Sequence, residues 1–307
     1  DKEKTMSVSV EKKWVGVETD KVKVYLYADG ADTRNSVILD STNNWKDKFE
    51  NLNKYNPNGT EIQYTVKEDI PNGYKSKING SQKDGYIITN IEMRDISVTK
   101  KWVGPEGTSA TIHLYAGNEK VASAVLSKTN EWKYTFKDLE KYKDGKEIEY
   151  TIKEDSIAGY KSKISGDMAS GFTVTNTNTE KTSVNVMKKW VGKAKDSVNV
   201  KLFADGKEKQ DATLSEATGW KHEFKNLPKY DEGDGHEIVY TVKEVKIAGY
   251  RTTISGNSDR GYIITNIQNK PNKPDTGDNN KVLLYISMLM ASLGGILFMF
   301  GKKRKAL

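Results

Sequence analysis

The chain has 307 residues, 49 basic and 42 acidic, for a net charge of +7. The two signs are interspersed, as on a solvated surface, and no basic stripe with interleaved aromatics marks a nucleic-acid site. There is no cysteine, which excludes disulfide staples and thiolate metal sites.

Asp1-Lys2-Glu3-Lys4 resembles the later join at Glu180-Lys181, so the chain is read as a C-terminal portion of a longer mature protein. From Ser7 the sequence alternates. Val8, Val10, Lys12 and Trp14 fall on one phase and Ser9, Glu11 and Lys13 on the other, the period of a half-buried strand that Gly16 ends. Val22, Val24 and Leu26 predict a second strand, closed by an Asp29-Gly30 turn. Val37-Ile38-Leu39 predicts a third. Trp45, Asp47 and Phe49 alternate in a fourth, with Leu52 and Tyr55 beyond. Asn56-Pro57-Asn58-Gly59 is a tight turn. Tyr64, Val66 and Glu68 form the next inward set. A strand around Ile78 follows Gly73-Tyr74, and Gly85 opens the last, where Tyr86, Ile88 and Asn90 share a face.

The scheme then repeats. Lys-Lys-Trp-Val-Gly occurs at 12–16, 100–104 and 188–192, so the tryptophans recur every 88 residues. Length differences fall in one turn, between Tyr55 and Tyr64, Tyr142 and Tyr150, and Tyr230 and Tyr240, which leaves the core register unchanged. The expectation is an all-β chain of three tandem Ig-like or prealbumin-like antiparallel sandwiches, with domains at 1–92, 93–179 and 180–268. Mean hydropathy is only −0.72, so the outer faces are very polar. Six Trp and sixteen Tyr nevertheless argue for folded modules rather than disorder.

Each unit carries three polar residues on the apolar phase: Lys12, Glu68 and Asn90; Lys100, Glu154 and Asn176; Lys188, Glu244 and Asn266. Unpaired buried charge is costly, so the three should meet. One reading is a buried Lys–Glu pair with Asn completing its hydrogen bonds. The other is chemical. An apolar site favours the uncharged amine, a nucleophile, and the neutral carboxylic acid, which can polarise the carboxamide and pass protons to departing ammonia. The product is a Lys–Asn isopeptide bond, which removes the charges from the core. The residues alone leave both readings open. The adjacent Lys13, Lys101 and Lys189 are out of phase and are assigned to solvent.

The units resemble Cna protein B-type domains of Gram-positive surface adhesins and pilins. The resemblance rests on V-x-K-x-W at the start, on Tyr64-Thr65-Val66-Lys67-Glu68 with Gly73-Tyr74 and its counterparts ending at Glu154 and Glu244, and on the closing Thr-Asn. It covers roughly residues 5–268. It implies intramolecular isopeptide bonds joining Lys12 to Asn90, Lys100 to Asn176 and Lys188 to Asn266, with Glu68, Glu154 and Glu244 as catalysts, each acting once rather than as a turnover enzyme.

Beyond Asn269, Pro271 and Pro274 lie in a short polar linker, so residues 269–307 form a separate tail. Residues 282–300 carry no charge and, as a helix, span about 28 Å, enough to cross a bilayer core. Lys302-Lys303-Arg304-Lys305 follows, which puts the C-terminus on the cytoplasmic side and the repeats outside. Lys273-Pro274-Asp275-Thr276-Gly277 resembles the sortase signal L-P-x-T-G, with Lys273 in place of the leucine; cleavage would fall between Thr276 and Gly277. The implied partners are sortase, peptidoglycan and the cell membrane through residues 282–300, with a host extracellular-matrix ligand engaged by a missing N-terminal region. No cofactor is expected, and no metal site, because His113, His222 and His236 form no ligand pattern. The resulting expectation is a cell-surface stalk. Ligand-binding adhesin modules and a pilus subunit are the alternatives.

Overall fold

Strands that alternate apolar and polar residues can hide their apolar faces only against one another, and this chain does so with paired sheets. The computed structural model describes residues 4–270. The first repeat consists of β1 (Thr5–Val15), β2 (Lys21–Ala28), β3 (Ala31–Asp40), β4 (Lys46–Asn53), β5 (Tyr64–Glu68), β6 (Tyr74–Ser81) and the start of β7 (Gly85–Val103). A short 3-10 turn, Ser41–Asn43, links β3 to β4. One sheet runs β4-β1-β7-β6 and the other β3-β2-β5. Val8, Val10, Phe49 and Ile88 from the first pack on Val24, Leu26, Leu39 and Val66 from the second. The Asp29-Gly30 turn has φ of +48° and +82°, the left-handed pair that a two-residue hairpin requires.

The third repeat is built the same way. Its four-stranded sheet contains Lys221–Pro228, Lys181–Val191, Gly261–Gln268 and Tyr250–Asn257. Lys207–Ser215, Ser197–Ala204 and Tyr240–Glu244 form the other. In the second repeat, Tyr150–Glu154, Ala110–Ala116 and Glu119–Leu126 make the three-stranded sheet, and Lys133–Glu140 pairs with the second half of β7.

The chain packs as two units. Residues 1–101, 108–156 and 163–175 form one; residues 102–107, 157–162 and those from 176 on form the other. Within the first unit, residues 85–101 of β7 run unbroken from the last strand of one repeat into the first strand of the next. Ile88, Asn90, Ile96, Val98 and Lys100 are all buried on it, so one alternation serves two cores.

Two expectations are corrected. The sandwiches are not purely antiparallel, because β1 and β7 pair parallel, with Lys12 opposite Ile88 and Trp14 opposite Asn90. The third repeat repeats this, with Lys188 opposite Ile264. First and last strands that point the same way let the chain enter at one end of a repeat and leave at the other. The predicted alternation of Trp45, Asp47 and Phe49 also fails. Trp45 precedes β4 at φ +59°, Asp47 is exposed, and Phe49 and Leu52 are both inward. An extra residue in β4 causes the slip: Met6 pairs with Leu52 but Val8 with Phe49, and Asn51 has φ +56°.

Candidate functional site

Parallel pairing sets Lys12 on β1 and Asn90 on β7 side by side on the inner face, two residues apart in register. Glu68 ends β5 in the opposite sheet. The triad therefore bridges the two sheets. Lys12 is 4% exposed and Asn90 fully buried, and the Glu68 side chain is likewise buried. Lys12 Nζ lies 3.7 Å from Glu68 Oε2, and Asn90 Nδ2 donates to the same oxygen at 3.3 Å. Lys12 Nζ also donates to the carbonyl oxygen of Ile88 at 3.3 Å. Asn90 Oδ1 is buried with no hydrogen-bond partner. Desolvation lowers the Lys12 pKa to about 8, and attraction to Glu68 only partly offsets it.

The third repeat gives the same arrangement. Lys188 Nζ stands 2.9 Å from Glu244 Oε2, an ion pair by distance whose angles fall outside hydrogen-bond geometry. Asn266 Nδ2 donates to Glu244 Oε1 at 2.6 Å, and Asn266 Oδ1 is again buried without a partner. Burial lowers the Lys188 pKa, against the pull of Glu244. In the first unit, Lys100 Nζ is 3.6 Å from Glu154 Oε1, and its pKa falls to about 8 for the same reason. Asn176, on Gly171–Asn178, is also buried. Chemically, the first and third sites offer an easily deprotonated amine, a carboxyl group and a carboxamide whose oxygen lacks a donor. The amide orientation is interchangeable, so a 180° flip with a proton on the carboxyl would satisfy that orphan acceptor.

Three features escaped the sequence reading. Trp14 and Trp190 are half-buried at the edge of the cores they pack against, where they cover the lysines, with Lys12 and Lys188 Nζ 4.4 and 4.5 Å from their ring centres. Trp14 is held edge-on by Trp45 and Tyr74, and Trp190 by Trp220 and Tyr250. Trp45, Trp132 and Trp220 all take left-handed backbone, with φ of +59°, +59° and +57°, which is strained for a bulky residue. Their carbonyls accept the backbone N–H of Lys12, Lys100 and Lys188, each at 2.8 Å, so the strained turn fixes the strand at the lysine. Ser76 and Thr252 donate to Glu68 Oε1 and Glu244 Oε1. The signal was present, since Ser76, Ser162 and Thr252 each follow the glutamate by eight residues.

Lys13 and Lys101 are exposed as expected, whereas Lys189 is half-buried. The histidines remain apart from one another: His113 bonds Ser123 and Asp155, and His222 packs on Phe224. His236, however, groups with Asp231 and Asp234, their ligand atoms lying within 4.8 Å of one another, a combination that a comparison of histidines alone overlooks. It also pairs with Asp205, and the two acids Asp234 and Asp205 raise its pKa to about 9. Thr276, Gly277 and residues 282–300 lie outside the described residues. Among the described residues no helix is long and apolar enough to cross a membrane.

The family model for the Cna protein B-type domain matches residues 8–91, 96–177 and 184–267. A collagen adhesin of Staphylococcus aureus is 34% identical over 295 residues, covering 87% of this chain, while the chain spans 24% of that protein's length. The crystal structure of two B repeat units of the S. aureus collagen binding protein is 31% identical, covering 86% of this chain and 75% of that one, with a TM-score of 0.29. The full-length pilus protein RrgB of Streptococcus pneumoniae is 13% identical, covering 89% and 65%, with a TM-score of 0.25.

Proposed function

Since the chain belongs to the Cna protein B-type domain family, we propose that it is the stalk of a bacterial surface adhesin whose repeats close themselves with Lys–Asn isopeptide bonds. The observation that carries this reading is a fully buried asparagine and a desolvated lysine meeting one glutamate, in the first repeat and again in the third.

The uncharged Lys12 amine attacks Cγ of Asn90. The Nζ–Cγ bond forms and the Cγ–Nδ2 bond breaks. Glu68 gives a proton toward the carboxamide and receives one from the amine, ending as it began, and Nδ2 leaves as ammonia. Lys100, Glu154 and Asn176 have the same roles in the second repeat, and Lys188, Glu244 and Asn266 in the third. Each site reacts once, so the chain is not a turnover enzyme. By analogy with a disulfide closing a loop of this length, each bond adds about 4–5 kcal/mol, comparable to the whole stability of a small domain.

The bonds also define a path for force. Asn90 and Lys100 lie on one strand, so tension passing through the first cross-link reaches the second along β7 while each sandwich is bypassed. On this reading the stalk comprises domains 1–92, 93–179 and 180–268. Residues 269–307 provide the anchor: sortase cleaves between Thr276 and Gly277 and joins Thr276 to peptidoglycan, after residues 282–300 have held the chain in the membrane. The relative's name makes a host-matrix ligand the class to test, engaged by a region N-terminal to the repeats.

The test is to replace Glu68, Glu154 and Glu244 by alanine one at a time. Each variant should retain one more ammonia than the parent by intact mass, after correction for the substitution. Variants that lose the same ammonia as the parent would remove the glutamates from the chemistry.

A further inference from the structure

β6 and β7 pair antiparallel with Ser76 directly opposite Asn90, and in the third repeat Thr252 is directly opposite Asn266. Directly opposed residues of such a pair point to the same face. A hydroxyl is thus set beside the asparagine and aimed at the glutamate of the other sheet. Ser76 Oγ donates to Glu68 Oε1, while Lys12 and Asn90 both face Oε2. The two carboxyl oxygens are divided between different partners.

We propose that Ser76 is a positioning residue for the cross-linking reaction: by donating to Oε1 it makes that atom the carbonyl oxygen of the acid and leaves the exchangeable proton on Oε2, facing the amine and the carboxamide. This rests on the cross-linking reading above. A neutral carboxyl has one hydroxyl oxygen and one carbonyl oxygen, and only the first can donate. Without the serine, the acid can turn its proton away from Asn90 as readily as toward it. Ser76 exchanges no atom in the step; the bond formed, the bond broken and the released ammonia are unchanged.

Thr252 fills the same position less tightly. Its hydroxyl is 3.3 Å from Glu244 Oε1, and Asn266 Nδ2 meets that same oxygen at 2.6 Å. There the hydroxyl and the carboxamide share Oε1 while Lys188 faces Oε2, so the hydroxyl does not reserve an oxygen for the carboxamide and the third site depends less on it.

The experiment follows the full chain after cell-free synthesis, with acid quenches at intervals and quantification of each cross-linked peptide by digestion and mass spectrometry. Ser76→Ala should slow formation of the Lys12–Asn90 link about tenfold, the value of one hydrogen bond to a carboxyl, while the links of the other two repeats form at the parental rate in the same molecules. Ser76→Thr should restore the rate. Thr252→Val should slow the Lys188–Asn266 link by a smaller factor. A parental rate in Ser76→Ala, or a slow rate that Ser76→Thr does not rescue, overturns the proposal and leaves the cross-linking reading standing. Absence of all three links from the parent chain overturns both.

Discussion

Asn90→Ala separates a cross-link from an ion pair by the size of its effect. Asn90 is fully buried, its Oδ1 has no partner, and its amide makes one long hydrogen bond to Glu68. If the first repeat were held only by non-covalent contacts, removing this side chain would cost that bond, about 1.5 kcal/mol. If Asn90 is joined to Lys12, the variant also loses closure of the loop, bringing the total to about 6 kcal/mol. A domain of this size shifts its Tm by about 5 °C per kcal/mol. The two cases predict falls of about 8 °C and about 30 °C. The assay is calorimetry of the full repeat array, in which the transition of the substituted repeat moves down while the rest stays in place. A fall of less than about 15 °C, with no change in ammonia content relative to the parent, would refute the reasoning.

The neighbouring lysines test the register: Lys100→Ala should abolish the second repeat's cross-linked peptide and Lys101→Ala should leave it intact, and the reverse result would put the wrong lysine in the core. In Asn90→Ala, Lys12 stays a buried amine whose folded pKa, about 8, is below its ordinary 10.5. The unfolded chain then binds more protons between those values, so unfolding free energy should rise as pH increases from about 8 toward 10.5, measured by urea denaturation; a fall over that window would contradict the assigned desolvation. At the first join, Gly16 has φ +119°, and an added Cβ would lie 2.5 Å from Glu92 Oε2 and 2.6 Å from Glu92 Cβ. Glu92 accepts the Val17 N–H and pairs with Lys141 of the next repeat at 2.7 Å. Gly16→Ala should cost about 1–3 kcal/mol and speed proteolysis at this join, and unchanged digestion would show that the contact does not hold it.

Lys12, Glu68 and Asn90, and Lys188, Glu244 and Asn266, were legible as polar residues that meet in a core because each breaks a period-two pattern at a fixed place. Lys12 between Val10 and Trp14 is visible without coordinates, and so is Asn90 after Ile88. Parallel pairing of β1 with β7 was not legible, because side chains alternate identically in parallel and antiparallel strands. The left-handed Trp45 and the bulge at Asn51 depend on how β4 meets β1, a long-range contact that local preference does not encode. Ser76 was legible in its spacing, eight residues after Glu68, but its meaning depended on the register that sets it opposite Asn90. Trp14 shares the phase of Val10 and packs against the core, but its half-buried position over Lys12 was not legible.

The most direct test of the central claim is the intact mass of purified residues 1–268. Three isopeptide bonds predict a mass below that calculated from sequence by three molecules of ammonia, one for each of Asn90, Asn176 and Asn266. A mass equal to the calculated value would contradict the account and leave three buried ion pairs in its place.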